Sequence, residues 1–139
     1  MEQENNLNFV IVDDNPINVT LAEVIIQKVT KNAQIKSFTL PQLALKYIED
    51  KYDKTEKNIP TLLFLDFHMG AMDGLEFLDN FIALSERIKE QFKIVILSSV
   101  ADRREMEKAL SYPYVIEYRI KPLTKEILQH IIKESGYSI

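Results

Sequence analysis

The stretch Thr61-Leu62-Leu63-Phe64-Leu65-Asp66-Phe67-His68-Met69-Gly70-Ala71-Met72-Asp73-Gly74 decides how the rest of the chain is read. Leu62 to Leu65 form an unbroken apolar run, the mark of a strand covered on both faces. The run stops on a carboxylate, so Asp66 stands at the strand's carboxyl end. Ligands of open α/β sheets bind along that edge, which makes a lone acid there a candidate for chemistry. Asp is also a common turn residue, and the turn through Gly70 to Gly74 would account for it equally well. The remainder of the chain has to choose between these readings.

Composition narrows the field first. With 139 residues, 46% of them hydrophobic and 27% charged, the chain has the size and balance of one globular domain. A single domain over residues 1–139 is expected, its core running from residue 7 to 132. A net charge of −4 and a pI near 5.2 argue against a nucleic-acid partner, because neutralising phosphates needs a basic face. Cysteine is absent, which excludes disulfides and thiolate metal sites. No apolar run reaches the length of about 18 residues that a membrane span requires, and Met1 to Asn6 is too polar for a signal peptide. A cytoplasmic location without membrane contact is the expectation.

Leu7 to Val12 reads as a first strand and ends in Asp13-Asp14-Asn15-Pro16. Asn15 suits an N-cap and Pro16 the first helical position, so a helix starts there. Ile17, Leu21, Val24, Ile25 and Val29 recur at helical spacing and are expected to form its buried stripe. A helix dipole favours an acid near its start, but two adjacent acids exceed that need. Ala33 to Phe38 reads as an edge strand, and Leu40 to Tyr52 as a helix with Ala44, Tyr47 and Ile48 inward. The charged segment from Asp50 to Asn58 reads as a solvated helix end and loop. After the Asp66 strand, Leu75, Leu78, Phe81, Ile82 and Ile88 predict one third helix behind the Asp73-Gly74 turn. Lys93 to Leu97 is a fourth strand followed by Ser98-Ser99, and Asp102 to Leu110 a charged fourth helix. Val115 to Ile120 is a fifth strand carrying Tyr118 and ending at Lys121-Pro122. A fifth helix closes the pattern from Thr124 to Ser135.

Strands and helices alternate five times, which implies a parallel sheet with helices on both faces. The fold class expected is α/β, a doubly wound, five-stranded parallel sheet, and the strand order taken for it is the flavodoxin-like 2-1-3-4-5. In that order strands 1 and 3 are neighbours at the switch point, and Asp13, Asp14 and Asp66 converge on one crevice. Ser98 arrives from strand 4 and Lys121 from strand 5.

Three carboxylates so close repel one another, and a hard divalent cation relieves them. Magnesium suits them better than zinc, since neither cysteines nor paired histidines are offered. With the metal bound, a carboxylate can act as nucleophile toward a phosphoryl group. Asp66, in the middle of the sheet, is the best placed. Lys121 offers an ammonium for the developing negative charge and Ser98 a hydroxyl that can donate a hydrogen bond.

These residues, in this order and spacing, give the chain its resemblance to a bacterial response-regulator receiver domain. The resemblance covers residues 7 to 132 and rests on Asp13-Asp14, on Asp66 with Met69 and Met72-Asp73-Gly74, on Ser98, on Tyr118 and on Lys121-Pro122. The Asp-Asp-Asn-Pro start, the Ile-Leu-Ser-Ser stretch and the Ser-Tyr-Pro-Tyr-Val segment resemble receivers of the stand-alone, single-domain type. It implies that Asp66 accepts a phosphoryl group from a phosphohistidine on a sensor histidine kinase or a histidine phosphotransfer protein. It also implies Mg2+ held by Asp14, Asp66 and the backbone carbonyl of His68, with Asp13 assisting. Lys121 would contact the phosphoryl oxygens, Ser98 would move to hydrogen-bond them, and Tyr118 would turn inward in response. The face built from the fourth helix, fifth strand and fifth helix would then change its surface toward an unknown downstream protein. The Lys121-Pro122 bond would be cis. Such a protein is a monomer or weak dimer in two-component signalling, and no enzyme beyond taking up and losing phosphate at Asp66.

Some positions depart from the pattern. Gly70 replaces a usual proline, Tyr112-Pro113-Tyr114 replaces the glycine that commonly ends the fourth helix, and Ser99 stands where alanine is usual. The His68 side chain and Val100 flank the path of a hydrolytic water, and His68 either orients that water or lends only its carbonyl. Tyr112, Pro113 and Tyr114 form an apolar cluster that suits a partner or dimer surface as well as it suits packing. Two rival functions use the same residues: a receiver-like interaction module that works without phosphate, and a Mg-dependent phosphohydrolase. The latter needs a second acid as general acid, and His68 occupies the position where one would help. A flavin site would need a hydroxyl- and glycine-rich phosphate loop where this chain has acids.

Overall fold

The computed structural model describes residues 7–54 and 58–137. The polar start Met1 to Asn6 and the middle of the charged 50–58 loop lie outside them. Among the described residues, five strands alternate with six helices in the order β1 (Asn8–Val12), α1 (Pro16–Val29), β2 (Gln34–Phe38), α2 (Pro41–Lys54), β3 (Thr61–Asp66), α3 (Gly74–Ile82), α4 (Glu86–Lys89), β4 (Phe92–Ser98), α5 (Arg103–Leu110), β5 (Val115–Ile120) and α6 (Lys125–Ser135). The strands form one parallel sheet, as the alternation predicts, and its order is the flavodoxin-like β2-β1-β3-β4-β5. β3 is buried along its whole length, which is why its sequence could be apolar on both faces.

Two cores cover the sheet. On one face α2, α3, α4 and α5 pack Ile48, Phe77, Phe81, Ile88 and Ala109 against Val10, Leu63, Leu65 and Ile96. On the other, α1 and α6 pack Ile26, Leu128 and Ile131 against Phe9, Ile11, Phe64 and Leu97. Each fully buried Leu, Ile or Phe contributes about 1.5–3 kcal/mol, which holds the strand ends in register.

Local chemistry sets the helix starts. Asn15 caps α1 by accepting from the Ile17 N–H with Pro16 at the first turn, and Thr124 caps α6 through the Ile127 N–H. Asp73 is more than a turn residue: with Glu76 it forms a reciprocal capping box at the start of α3. Gly74 is required there because a Cβ would lie 2.7 Å from the Phe67 ring.

Two expectations are corrected. The third helix does not continue to Ile88. It ends at Ile82, and Ser85 caps a separate short α4 whose Ile88 reaches the core. The helices expected fourth and fifth are therefore α5 and α6. The second correction concerns α1, whose buried residues are Val19, Ala22 and Ile26, whereas Ile17, Leu21 and Val24 are 69%, 53% and 42% exposed. Apolar residues lie on more than one side of this helix, so spacing alone fits either stripe. Ile25 and Val29 border the core half-buried.

At the exit of α5, Tyr114 takes the left-handed backbone with φ of 77° where a glycine would be easier. Its hydroxyl donates to Glu86 at 2.7 Å, that of Tyr112 donates to Asp79 at 2.7 Å, and both rings pack on the core. The cluster thus serves as packing between α5, α3 and α4.

Candidate functional site

The carboxyl ends of β1, β3 and β5 deliver the site. Asp13 and Asp14 follow β1, Asp66 ends β3, and Lys121 follows β5. One carboxylate oxygen from each of Asp13, Asp14 and Asp66 lies within 4.8 Å of the others. The Lys121 ammonium donates to Asp13 Oδ2 at 2.9 Å and to Asp66 Oδ1 at 3.1 Å. Asp13 and Asp66 are each only 5% exposed, while Asp14 faces solvent at the rim. The backbone anchors these groups: Asp13 Oδ1 accepts from the Asn15 N–H, Asp66 Oδ1 from the His68 N–H, and the Lys121 N–H donates to the Ser98 carbonyl. The Lys121-Pro122 bond is cis.

Burial pushes the Asp66 carboxyl above its ordinary range; the Lys121 ammonium pulls it back and the neighbouring Asp13 charge pushes it up again. Burial works against the Lys121 ammonium, but its hydrogen bonds to Asp13 and Asp66 prevail and raise its pKa. Three carboxylates face one ammonium, leaving an excess of two negative charges. All are hard oxygen donors, with no thiolate or second histidine among them. That donor set fits a magnesium ion, with Asp13, Asp14 and Asp66 as the residues that would hold it.

Other residues singled out in the sequence stand around this notch. Ser98 is fully buried, and among the described residues its hydroxyl bonds the Val100 carbonyl and N–H at 3.2 Å rather than the Asp66 carboxylate. Tyr118 is turned inward: its hydroxyl lies 3.1 Å from the Val100 carbonyl and 2.9 Å from Glu105. A register shift between Ile94 and Val95 puts it there, pairing Tyr118 with Ile96 and sending its ring to the α5 face. Ser99 lines the open mouth above Asp66 together with Asp14, Asn18 and His68.

Two features were not read from the sequence. Gly70 gives Asp14 a backbone N–H at 3.0 Å, a bond that the proline expected at this position could not make. Glu105 receives His68 Nε2 at 2.8 Å. Nothing local in a charged helix marks Glu105 as different from Glu107.

The model of the response regulator receiver domain matches residues 9–135. The chain belongs to that family. It is thus a receiver domain of two-component signalling by family, with the fold of one. A response regulator receiver protein from Dyadobacter fermentans has the same fold, with a TM-score of 0.83 at 24% identity over 95% of this chain and 99% of that one. The receiver domain of a sensor histidine kinase from Pseudomonas aeruginosa, solved with a magnesium ion in its active site cleft, gives a TM-score of 0.72 at 19% identity over 93% and 96%. A cyclic di-GMP phosphodiesterase response regulator, RpfG, from Xanthomonas campestris is 30% identical over 118 residues, 84% of this chain. The receiver spans 28% of that protein's length. Among the described residues, no helix is long and apolar enough to cross a membrane.

Proposed function

We propose that Asp66 of this receiver takes a phosphoryl group from a phosphohistidine and that the phosphorylated protein signals by binding. The observation that carries the reading is the Asp66 carboxylate 3.1 Å from the Lys121 ammonium and clustered with Asp13 and Asp14. In the transfer, an Asp66 oxygen attacks phosphorus, a P–O bond forms, and the P–N bond to the donor imidazole breaks. The imidazole leaves and takes a proton from water. Lys121 turns from Asp66 toward the phosphoryl oxygens and offsets their charge in the transition state. Ser98, once released from Val100, gives those oxygens a hydrogen-bond donor. Asp13, Asp14, Asp66 and the His68 carbonyl would hold a magnesium ion, which would supply the positive charge that lets phosphate approach three carboxylates. Water attacking phosphorus later returns the carboxylate and inorganic phosphate.

The α1 stripe supports a protein as donor. Ile17, Leu21 and Val24 present apolar surface to solvent, and Leu21 also lines the cleft that reaches Asp66. A helical face of that kind suits docking of a sensor histidine kinase or a histidine phosphotransfer protein. Away from α1, Val100, Leu110 and Ile120 are 46%, 42% and 40% exposed on or beside α5 and β5. They suit the downstream partner that the α5, β5 and α6 face would select.

The test is uptake from a small acyl phosphate with magnesium, read by intact-protein mass. The wild type should gain one phosphoryl increment, and Asp66→Ala none. An unmodified wild type, or equal uptake by Asp66→Ala, rejects the reading and leaves an interaction module that works without phosphate.

A further inference from the structure

Glu105 holds the two donors that border the Asp66 notch from different parts of the chain. It sits in the first turn of α5, where Asp102 Oδ1 accepts from the N–H groups of Arg104 and Glu105 and fixes the turn. An acid in this turn is favoured by the helix dipole wherever its side chain points. Glu105 turns inward: its side chain is 19% exposed, against 68% for Glu107 on the same helix. Oε1 accepts from the Tyr118 hydroxyl at 2.9 Å, and Oε2 lies 2.8 Å from His68 Nε2.

Each of these donors adjoins a reacting residue. His68 lies two residues beyond Asp66, and its N–H bonds the Asp66 carboxylate. Tyr118 lies three residues before Lys121, and its hydroxyl also reaches the Val100 carbonyl, whose residue holds the Ser98 hydroxyl. The Phe67 ring fills the space between them, edge-on to His68 at 5.4 Å and to Tyr118 at 6.3 Å. A tyrosine hydroxyl has one proton for its two acceptors, Glu105 and Val100, so the aim of Glu105 decides how that proton is shared. His68 sets that aim by holding the other carboxylate oxygen. An exposed histidine–glutamate pair on its own would be worth little, but this carboxylate is mostly covered and bridges two segments.

We propose that Glu105 is a positioning residue that ties the loop carrying His68 to Tyr118, so that the surroundings of Asp66 and the α5–β5 surface change together. The effect of this tie on phosphoryl lifetime rests on Asp66 being the acceptor; the tie itself does not. Breaking either bond changes how Tyr118 divides its proton between Glu105 and the Val100 carbonyl, and breaking both adds nothing further.

The test is a double-mutant cycle with two readouts. In the unphosphorylated protein with 13C-labelled tyrosine, the Tyr118 ring signal is identified by its loss in Tyr118→Phe. His68→Ala should shift this signal in the wild-type background and leave it unmoved in a Glu105→Ala background. Glu105→Gln should stay near wild type, because its amide oxygen still accepts from Tyr118 and its NH2 can donate to an unprotonated imidazole nitrogen. For the second readout, the phosphoprotein is freed of donor and its decay followed. His68→Ala and Glu105→Ala should each change the decay rate in the same direction by at least about threefold, the double variant should match the singles, and Glu105→Gln should stay within about twofold of wild type. Equal Tyr118 shifts in both backgrounds, or decay effects that multiply, overturn the proposal. If the wild type takes up no phosphate, the receiver reading fails and the tyrosine signal alone still decides the tie.

Discussion

Strand β3 begins on Thr61 and ends on Asp66, two polar residues buried to nearly the same degree, 0% and 5% exposed, in opposite chemical surroundings. The Thr61 hydroxyl donates its one proton to the Ile59 carbonyl at 2.9 Å, so the Tyr52 hydroxyl 2.8 Å away must be the donor in their shared bond. Gln91 completes that end: its Nε2 donates to the Tyr52 and Arg87 carbonyls and its Oε1 accepts from the Ile59 N–H. Thr61, Tyr52 and Gln91 are neutral, and each is paired. At the Asp66 end, three carboxylates meet one ammonium, and the surplus charge faces an open mouth. A strand whose middle is uniformly apolar can thus carry a closing clamp at one end and a reactive site at the other. The difference lies in whether the polar groups find all their partners within the protein.

The contrast predicts separable effects. The largest should come from Lys121→Ala, which removes the ammonium beside Asp66; phosphoryl uptake should slow by about 100-fold, measured as the initial rate of mass gain. A rate within about twofold of wild type would mean that the ammonium is structural and that both ends of β3 serve the fold alone. Thr61→Val should act at the other end alone. It removes the hydroxyl that bonds both the Ile59 carbonyl and Tyr52 and should cost about 0.5–1.5 kcal/mol per lost bond in denaturant unfolding, with uptake unchanged. Loss of uptake in this variant would erase the distinction.

A smaller effect sharpens the comparison through pH. The Asp66 pKa is raised above the ordinary 3.8 of an aspartate, chiefly by burial, so folding disfavours its charged form. The neutral carboxyl's stabilising contribution is therefore complete below pH 3.8 and is lost as pH rises through the raised folded value. Without magnesium, Asp66→Asn should melt at a higher temperature than wild type at neutral pH, and the gap should close in acid. Added magnesium should raise the melting temperature of wild type more than that of the variant. A variant that melts below wild type at every pH would show that Lys121 more than compensates the buried charge.

Much of this was legible along the chain. The apolar run ending at Asp66 announced a central strand, and the acids after β1 and the lysine after β5 marked the same edge, because in a parallel sheet every strand's carboxyl end points the same way. Asn15-Pro16 and Asp73 with Glu76 carried local cap chemistry, of which only the first was read for its full meaning. The side chain of His68 could be left only as an alternative, since its partner Glu105 lies on a distant helix.

Order along the chain therefore determined a parallel sheet with Asp13, Asp14, Asp66 and Lys121 on one edge, and the strand order seen in the structure brings them together. The shared edge depends on strand identity and direction, which short-range pattern encodes. Only the tertiary structure decided which side of α1 is buried, because two apolar stripes with the same period differ only in what the sheet presents to them. It also decided that Tyr118 faces α5, since a one-residue shift beside Val95 reverses the alternation of β5. The Glu105 bridge is of the same kind: two hydrogen bonds between segments far apart in sequence exist only once packing has fixed the distance between them.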